Sequence, residues 1–130
     1  MILLSKQQIL FMHKTLIERY GGIHGVRDEG LLDSAINAPF QSYGGVEFYP
    51  GLPEKAARLG YGLIQNHPFY DGNKRIGALA MLTLLDINGV VLNTDSAELT
   101  ASTLQVAGGT MDEPALLTWV KSRLTARDVV

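Results

Sequence analysis

Apolar positions recur along this chain mainly with a helical period. Ile9, Met12, Leu16 and Tyr20 fall three or four apart and mark one buried stripe. Ser5 followed by Gln8 is a capping-box start for that helix, and Gly21-Gly22 is a stop. A second, short helix carries Leu31, Leu32, Ala35 and Ile36; Asp28 can cap it and Pro39 ends it. Pro53 suits the first turn of a third helix, rich in small residues (Ala56, Ala57, Gly60) with Leu59, Leu63 and Ile64, running to Gln65 or Asn66. Pro68 stops it and predicts an extended backbone at His67. Residues 76–87 are apolar on nearly every face, as expected of a buried central helix, and Asn88-Gly89 ends it. Val90-Val91-Leu92 reads as a short extended piece. Asp95 with Glu98 starts a helix through Leu99, Leu104 and Val106 that Gly108-Gly109 ends. Thr110 and Glu113 form another capping box, with Pro114 in the first turn of a last helix carrying Leu116, Leu117, Trp119, Val120 and Leu124. Residues 125–130 read as a frayed tail.

From residue 40 to 52 the chain changes character: aromatics, glycines and a proline replace the helical period. This is a loop, or a short hairpin around Gly44-Gly45. Its aromatics either pin the loop to the body or belong to a flap that guides a substrate chain along a site. The expected fold is therefore all-α: one compact domain over residues 1–124, of five to six helices around a buried central helix, with almost no sheet.

Composition narrows the function classes. A chain of 130 residues can bury a single core, and 46% hydrophobic with 18% charged residues is ordinary for a globular domain. The formal charge of -2, with no basic run, gives no field for direct nucleic-acid binding. The absence of cysteine excludes disulfides, thiolate zinc sites and a cysteine nucleophile. The apolar stretch around residues 78–85 is too short to span a bilayer, and the N-terminus lacks the pattern of a secretory leader. No membrane association and a cytoplasmic location are the default expectations. His13 reads as a surface or boundary histidine. The acids Asp28, Glu29 and Asp33 read as first-turn helix carboxylates rather than a metal site.

Chemistry concentrates in His67-Pro68-Phe69-Tyr70-Asp71-Gly72-Asn73-Lys74-Arg75, where a loop becomes the central helix. The helix start near Gly72-Asn73 offers free backbone N–H groups and a positive dipole end, a generic anion site. Lys74 and Arg75 are unfavourable there without an anionic partner. A phosphate-bearing ligand could supply it, with Arg75 as a fork and Lys74 as a mobile point charge. A free histidine titrates at about 6.5, a range that suits the residue type at position 67 to act as a general base toward a hydroxyl. Asp71 is the loop's only carboxylate, and Mg²⁺ favours one or two carboxylates with phosphate oxygens and waters. Base, metal and bound polyphosphate together indicate transfer of a phosphorus-containing group. No P-loop pattern is present.

His67-Pro68-Phe69-x-Asp71-Gly72-Asn73-x-Arg75 resembles the Fic signature H-P-F-x-[DE]-G-N-x-R. Gly25 to Ala35, then Tyr49-Pro50, Glu54 to Ala57 and Asn66, resemble the Doc branch, the "death on curing" toxins of toxin–antitoxin pairs. The resemblance implies His67 as general base, Asp71 as the Mg²⁺-associated acid, and Gly72, Asn73, Lys74 and Arg75 as the nucleotide-phosphate turn. It also implies a target-binding flap at Tyr43, Gly44, Gly45, Val46, Glu47 and Phe48. AMP-transferring Fic enzymes resemble H-P-F-x-[DE]-G-N-G-R-x-x-R, whereas Lys74 and Ala78 stand at its second glycine and final arginine. Doc shares both changes and is a kinase. The resemblance thus implies phosphate transfer from ATP to a Ser or Thr hydroxyl of a target protein, elongation factor Tu in that branch, which stops translation. Nucleotidyl transfer and a catalytically weak binding partner are the alternatives. Thr94 to Glu98 begin the self-inhibitory pattern [ST]-x-x-x-E-[GN], but Leu99 breaks it. Inhibition in trans by a separate, Phd-like antitoxin is the expectation.

Overall fold

Two helices joined by one short loop form the axis of the molecule, in a computed structural model that describes residues 1–127. They are α3 (Leu52–Asn66) and α4 (Asn73–Ile87); before them come α1 (Lys6–Tyr20) and α2 (Glu29–Asn37), and after them α5 (Ser96–Ala107) and α6 (Glu113–Lys121). α3 and α4 cross at two glycines. A Cβ on Gly77 would stand 2.9 Å from the Gly60 carbonyl oxygen and 2.6 Å from Ile64 Cγ1, so neither backbone could come this close with a larger residue. Leu32, Leu63, Phe69, Ile76, Leu84, Leu85, Val106 and Val120 are fully buried around this crossing. Each such side chain stabilises the fold by about 1.5–3 kcal/mol relative to exposure. The all-α expectation holds, with the six helices joined by two small antiparallel strand pairs among the described residues. None of the described helices is long and apolar enough to cross a membrane.

Helix starts follow local rules. Ser5 and Gln8 close a reciprocal capping box on α1. Asp28, Asp95 and Asp112 accept from Leu31 N–H, Glu98 N–H and Ala115 N–H at 2.9, 2.8 and 2.9 Å. The last of these corrects the sequence expectation: Asp112, not Thr110, caps α6, and the Thr110 hydroxyl donates to the Gln105 carbonyl. The chain end is a second correction. Leu124 does not extend α6, and the segment is not frayed over its described part. Leu124–Ala126 form a strand, β4, paired antiparallel with β3 (Val90–Leu92), in the register Val90↔Ala126, Val91↔Thr125 and Leu92↔Leu124. Residues 128–130 of the expected tail lie outside the described residues.

A 3₁₀ turn (Ala38–Phe40) leads into the aperiodic segment, which holds the expected hairpin, β1 (Ser42–Tyr43) with β2 (Val46–Glu47). Gly44 and Gly45 both have positive φ, 58° and 81°, as a two-residue hairpin turn requires. Its aromatics do not all pin it. Tyr43 and Phe48 are 81% and 57% exposed. The anchor is Lys55, only 4% exposed, whose ammonium donates to Glu47 Oε1 at 3.0 Å and to the Tyr49 carbonyl.

Candidate active site

The site is built on the loop between α3 and α4. His67 closes α3 with φ 50° and ψ 53°, and it is the one non-glycine with positive φ among the described residues. This corrects the extended conformation predicted from Pro68. A proline disfavours a right-handed helical residue before it, and a left-handed C-cap satisfies that restriction while still ending the helix. A non-glycine in this region costs about 1–3 kcal/mol and persists only where its surroundings over-determine it. Here they do. Arg27 Nε donates to the His67 carbonyl at 2.8 Å and Nη2 to the Asn66 carbonyl at 3.2 Å. The Arg27 and Asp28 backbone N–H groups donate to the Pro68 carbonyl at 2.7 and 3.1 Å, and Val26 bridges to Phe69. The His67 side chain itself is exposed.

Beneath the loop, Phe69 is fully buried and its backbone is gripped by Asn73. Phe69 N–H donates to Asn73 Oδ1, and Asn73 Nδ2 donates back to the Phe69 carbonyl, both at 3.0 Å. Asn73 was expected to bind phosphate. Its side chain braces the loop, and its backbone N–H is the group it presents at the helix start. His13, expected at the surface, is 3% exposed and stacks on Phe69 with ring centroids 3.7 Å apart and planes 11° off parallel. Its Nε2 lies 2.8 Å from the Asp71 carbonyl oxygen. A carbonyl only accepts, so Nε2 carries the proton. Burial pushes the His13 pKa below its usual 6.5, against the opposing pull of the Asp71 carbonyl. Sequence reasoning missed this residue although a signal existed: Ile9, His13 and Ile17 share one helical stripe, and all three are buried.

Gly72 then turns the chain into α4 with φ 78° and ψ 16°. No side chain caps this helix, and its first backbone bond is Ile76 N–H to the Gly72 carbonyl. The amides of Asn73, Lys74 and Arg75 therefore have no helical acceptor. Lys74 and Arg75 are exposed and make no ion pair among the described residues; the Arg75 guanidinium lies 4.6 Å over the Tyr20 ring. Asp71 is half-buried. Its Oδ2 accepts from Ile23 N–H at 2.6 Å, which orients the carboxylate.

His67, Asp71 and residues 72–75 all line one cleft of about 600 Å³ that continues between α4 and α5. Ala78, 9% exposed, lies along its wall, followed by Leu79, Leu82 and Leu99. The cleft is thus cationic at one end and apolar along its length. Asp71 is the one carboxylate among its lining residues, and no group of three or more His, Asp or Glu gathers anywhere among the described residues. That donor set does not fit an all-protein metal cage. It does fit Mg²⁺ held by a single carboxylate with phosphate oxygens and waters. Glu98 pairs with Arg123 at 3.3 Å and does not line the cleft. Nor do the expected flap residues Tyr43 to Phe48. The hairpin is tied at Lys55, about 18 Å along the helix axis from His67.

Residues 3–85 match the family described as Fic/DOC family. The chain is 49% identical over 76 residues to "Toxin Doc" of Mycolicibacterium smegmatis, a match that spans 58% of this chain and 58% of that relative's length. It is 32% identical over 106 residues to "Protein kinase doc" of Escherichia phage P1, covering 82% of each.

Proposed function

The chain belongs to the Fic/DOC family, and we propose that it is a Doc-like toxin that transfers phosphate from ATP to a Ser or Thr hydroxyl of a target protein. One observation carries this reading: the exposed His67 and the uncapped, cationic start of α4 open onto the same cleft. The relative from phage P1 is named a protein kinase, and Lys74 and Ala78 replace the glycine and arginine of the AMP-transferring pattern. A lysine side chain crowds the close backbone approach that glycine allows.

In this reading His67 takes the proton from the target hydroxyl. The freed oxygen bonds to the γ-phosphorus as the bond to the bridging oxygen breaks, and ADP leaves. The backbone N–H groups of residues 73–75, with Lys74 and Arg75, hold the phosphate oxygens. Asp71 offers the carboxylate for Mg²⁺, which when bound neutralises phosphate charge. The Asn73 side chain and His13 touch no substrate; they hold the loop that carries the other groups. The target class is a protein segment with a Ser or Thr hydroxyl, and elongation factor Tu is the target we propose, in the cytoplasm. The exposed hairpin Tyr43 to Phe48 would serve as the flap that holds it. A separate, Phd-like antitoxin would silence the toxin with a segment laid near the cleft.

Incubating the purified protein and a cell extract with γ-labelled and, separately, α-labelled ATP tests this. Protein label from γ alone is the expected result. Label from α would replace phosphorylation by nucleotidyl transfer. No label from either, beside an active control enzyme, would leave only a binding role.

A further inference from the structure

His67 occupies a backbone conformation that its own sequence does not favour, so something outside the α3–α4 loop must hold it. One residue satisfies three consecutive carbonyls there. The Arg27 guanidinium donates to the Asn66 and His67 oxygens at 3.2 and 2.8 Å, and the Arg27 backbone N–H donates to the Pro68 oxygen at 2.7 Å. These are carbonyls that the end of α3 leaves without helical donors. A cation is also favoured at that end by the helix dipole. Arg27 makes no ion pair among the described residues, so no carboxylate competes for the guanidinium. It reaches across from the segment before α2, which is itself anchored by Asp28 capping that helix. Asn66 adds a second tie, donating from Nδ2 to the Leu31 carbonyl at 3.0 Å.

We infer that Arg27 is a positioning residue for the His67 base, fixing the left-handed turn that aims the imidazole into the cleft. This rests on the reading of His67 as general base. An ordinary helix cap would also hydrogen-bond the last carbonyls. What sets Arg27 apart is that its strongest side-chain contact is to the strained residue itself, and that it leaves the phosphate-holding start of α4 untouched. Loss of Arg27 should therefore lower turnover and spare nucleotide binding.

The test uses the full chain, with wild type, Arg27→Ala and Arg27→Lys side by side. Backbone chemical shifts of labelled protein report the conformation of His67, isothermal titration reports ATP affinity, and γ-label transfer reports turnover. Arg27→Ala should lose the left-handed signature at His67 and fall at least about tenfold in turnover, the scale of a small misplacement of a reacting group, with ATP affinity unchanged. Arg27→Lys, which can still donate to one carbonyl, should recover part of both. Should Arg27→Ala not fold, Arg27→Gln takes its place, with an intermediate loss of both expected. Unchanged His67 shifts, or a loss that falls on ATP affinity instead of turnover, would overturn the inference. If wild type transfers no label at all, the proposed activity fails while the shifts still decide the role of Arg27.

Discussion

The two helix ends that bound the active loop are treated in opposite ways. The end of α3 is tied at every carbonyl from Asn66 to Pro68 and holds His67 under strain. The start of α4, five residues on, has no side-chain cap and carries two exposed cations where the dipole disfavours them. The first end is complete without a ligand. The second leaves the amides of residues 73–75 without helical acceptors, which suits the anionic ligand proposed for it. The pairing teaches a division of labour: strain and bonding gather at the end that fixes one side chain, and free donors remain at the end proposed to receive the phosphate.

Breaking the tied end at its working group should have the largest effect. His67→Ala is expected to cut γ-phosphate transfer by about 10²- to 10⁴-fold, the usual weight of general-base catalysis, and to leave ATP affinity intact. A variant retaining more than about a tenth of wild-type turnover would remove His67 from that role. The open end should respond in the reverse sense. Replacing Lys74 and Arg75 together by Gln should weaken ATP binding by about 10- to 100-fold, as loss of charge-assisted bonds does. The same change should leave the melting temperature equal or higher, because cations in the first turn oppose the dipole. A clear drop in melting temperature would mean that the open end is not open.

The hinge between the ends comes next. Gly72→Ala forces a Cβ into φ 78°, 3.3 Å from Ile17 Cδ1, and should destabilise by about 1–2 kcal/mol in urea unfolding. Equal stability would show that the turn relaxes without strain. The smallest effect is the pH response of His13. Its folded pKa lies below 6.5, so the native state prefers the neutral ring. Above that value both folded and unfolded forms are neutral and no penalty exists. As pH falls through it, the unfolded chain takes up the proton first and stability declines. Unfolding measured at pH 7.5 and 5.5 should show this extra decline in wild type and less of it in His13→Gln, which keeps a donor near the Asp71 carbonyl.

What the sequence revealed was what neighbouring residues decide among themselves. The helices of Ser5, Asp28 and Asp95 announce their starts within four residues, and the nine-residue stretch from His67 to Arg75 keeps its cleft-lining groups together because one loop carries them. What it concealed depends on distant partners. The backbone at His67 follows Arg27, not the local preference imposed by Pro68. β4 exists because Leu124 to Ala126 meet Val90 to Leu92 across more than thirty residues, and three-residue strands leave no periodic trace. Asn73 stands in the expected phosphate turn, but only the Phe69 backbone beside it shows how its side chain is used. His13 was hidden by its polarity, although its position in the stripe was apolar.

The crossing at Gly60 and Gly77 has a mechanical consequence. It acts as the pivot of a calliper whose jaws are His67 and the start of α4. From the pivot to the jaws the arms run seven residues along α3 and four along α4, about 10 Å and 6 Å. A methyl group added at Gly77 would collide with the Gly60 carbonyl and Ile64, and the arms would have to splay. A tilt of about 5° over the longer arm moves the imidazole by roughly 1 Å, enough to cost about 10²-fold in rate. The gap between His67 and the start of α4 is therefore gauged in the hydrophobic interior, by two residues that have no side chains with which to line the cleft.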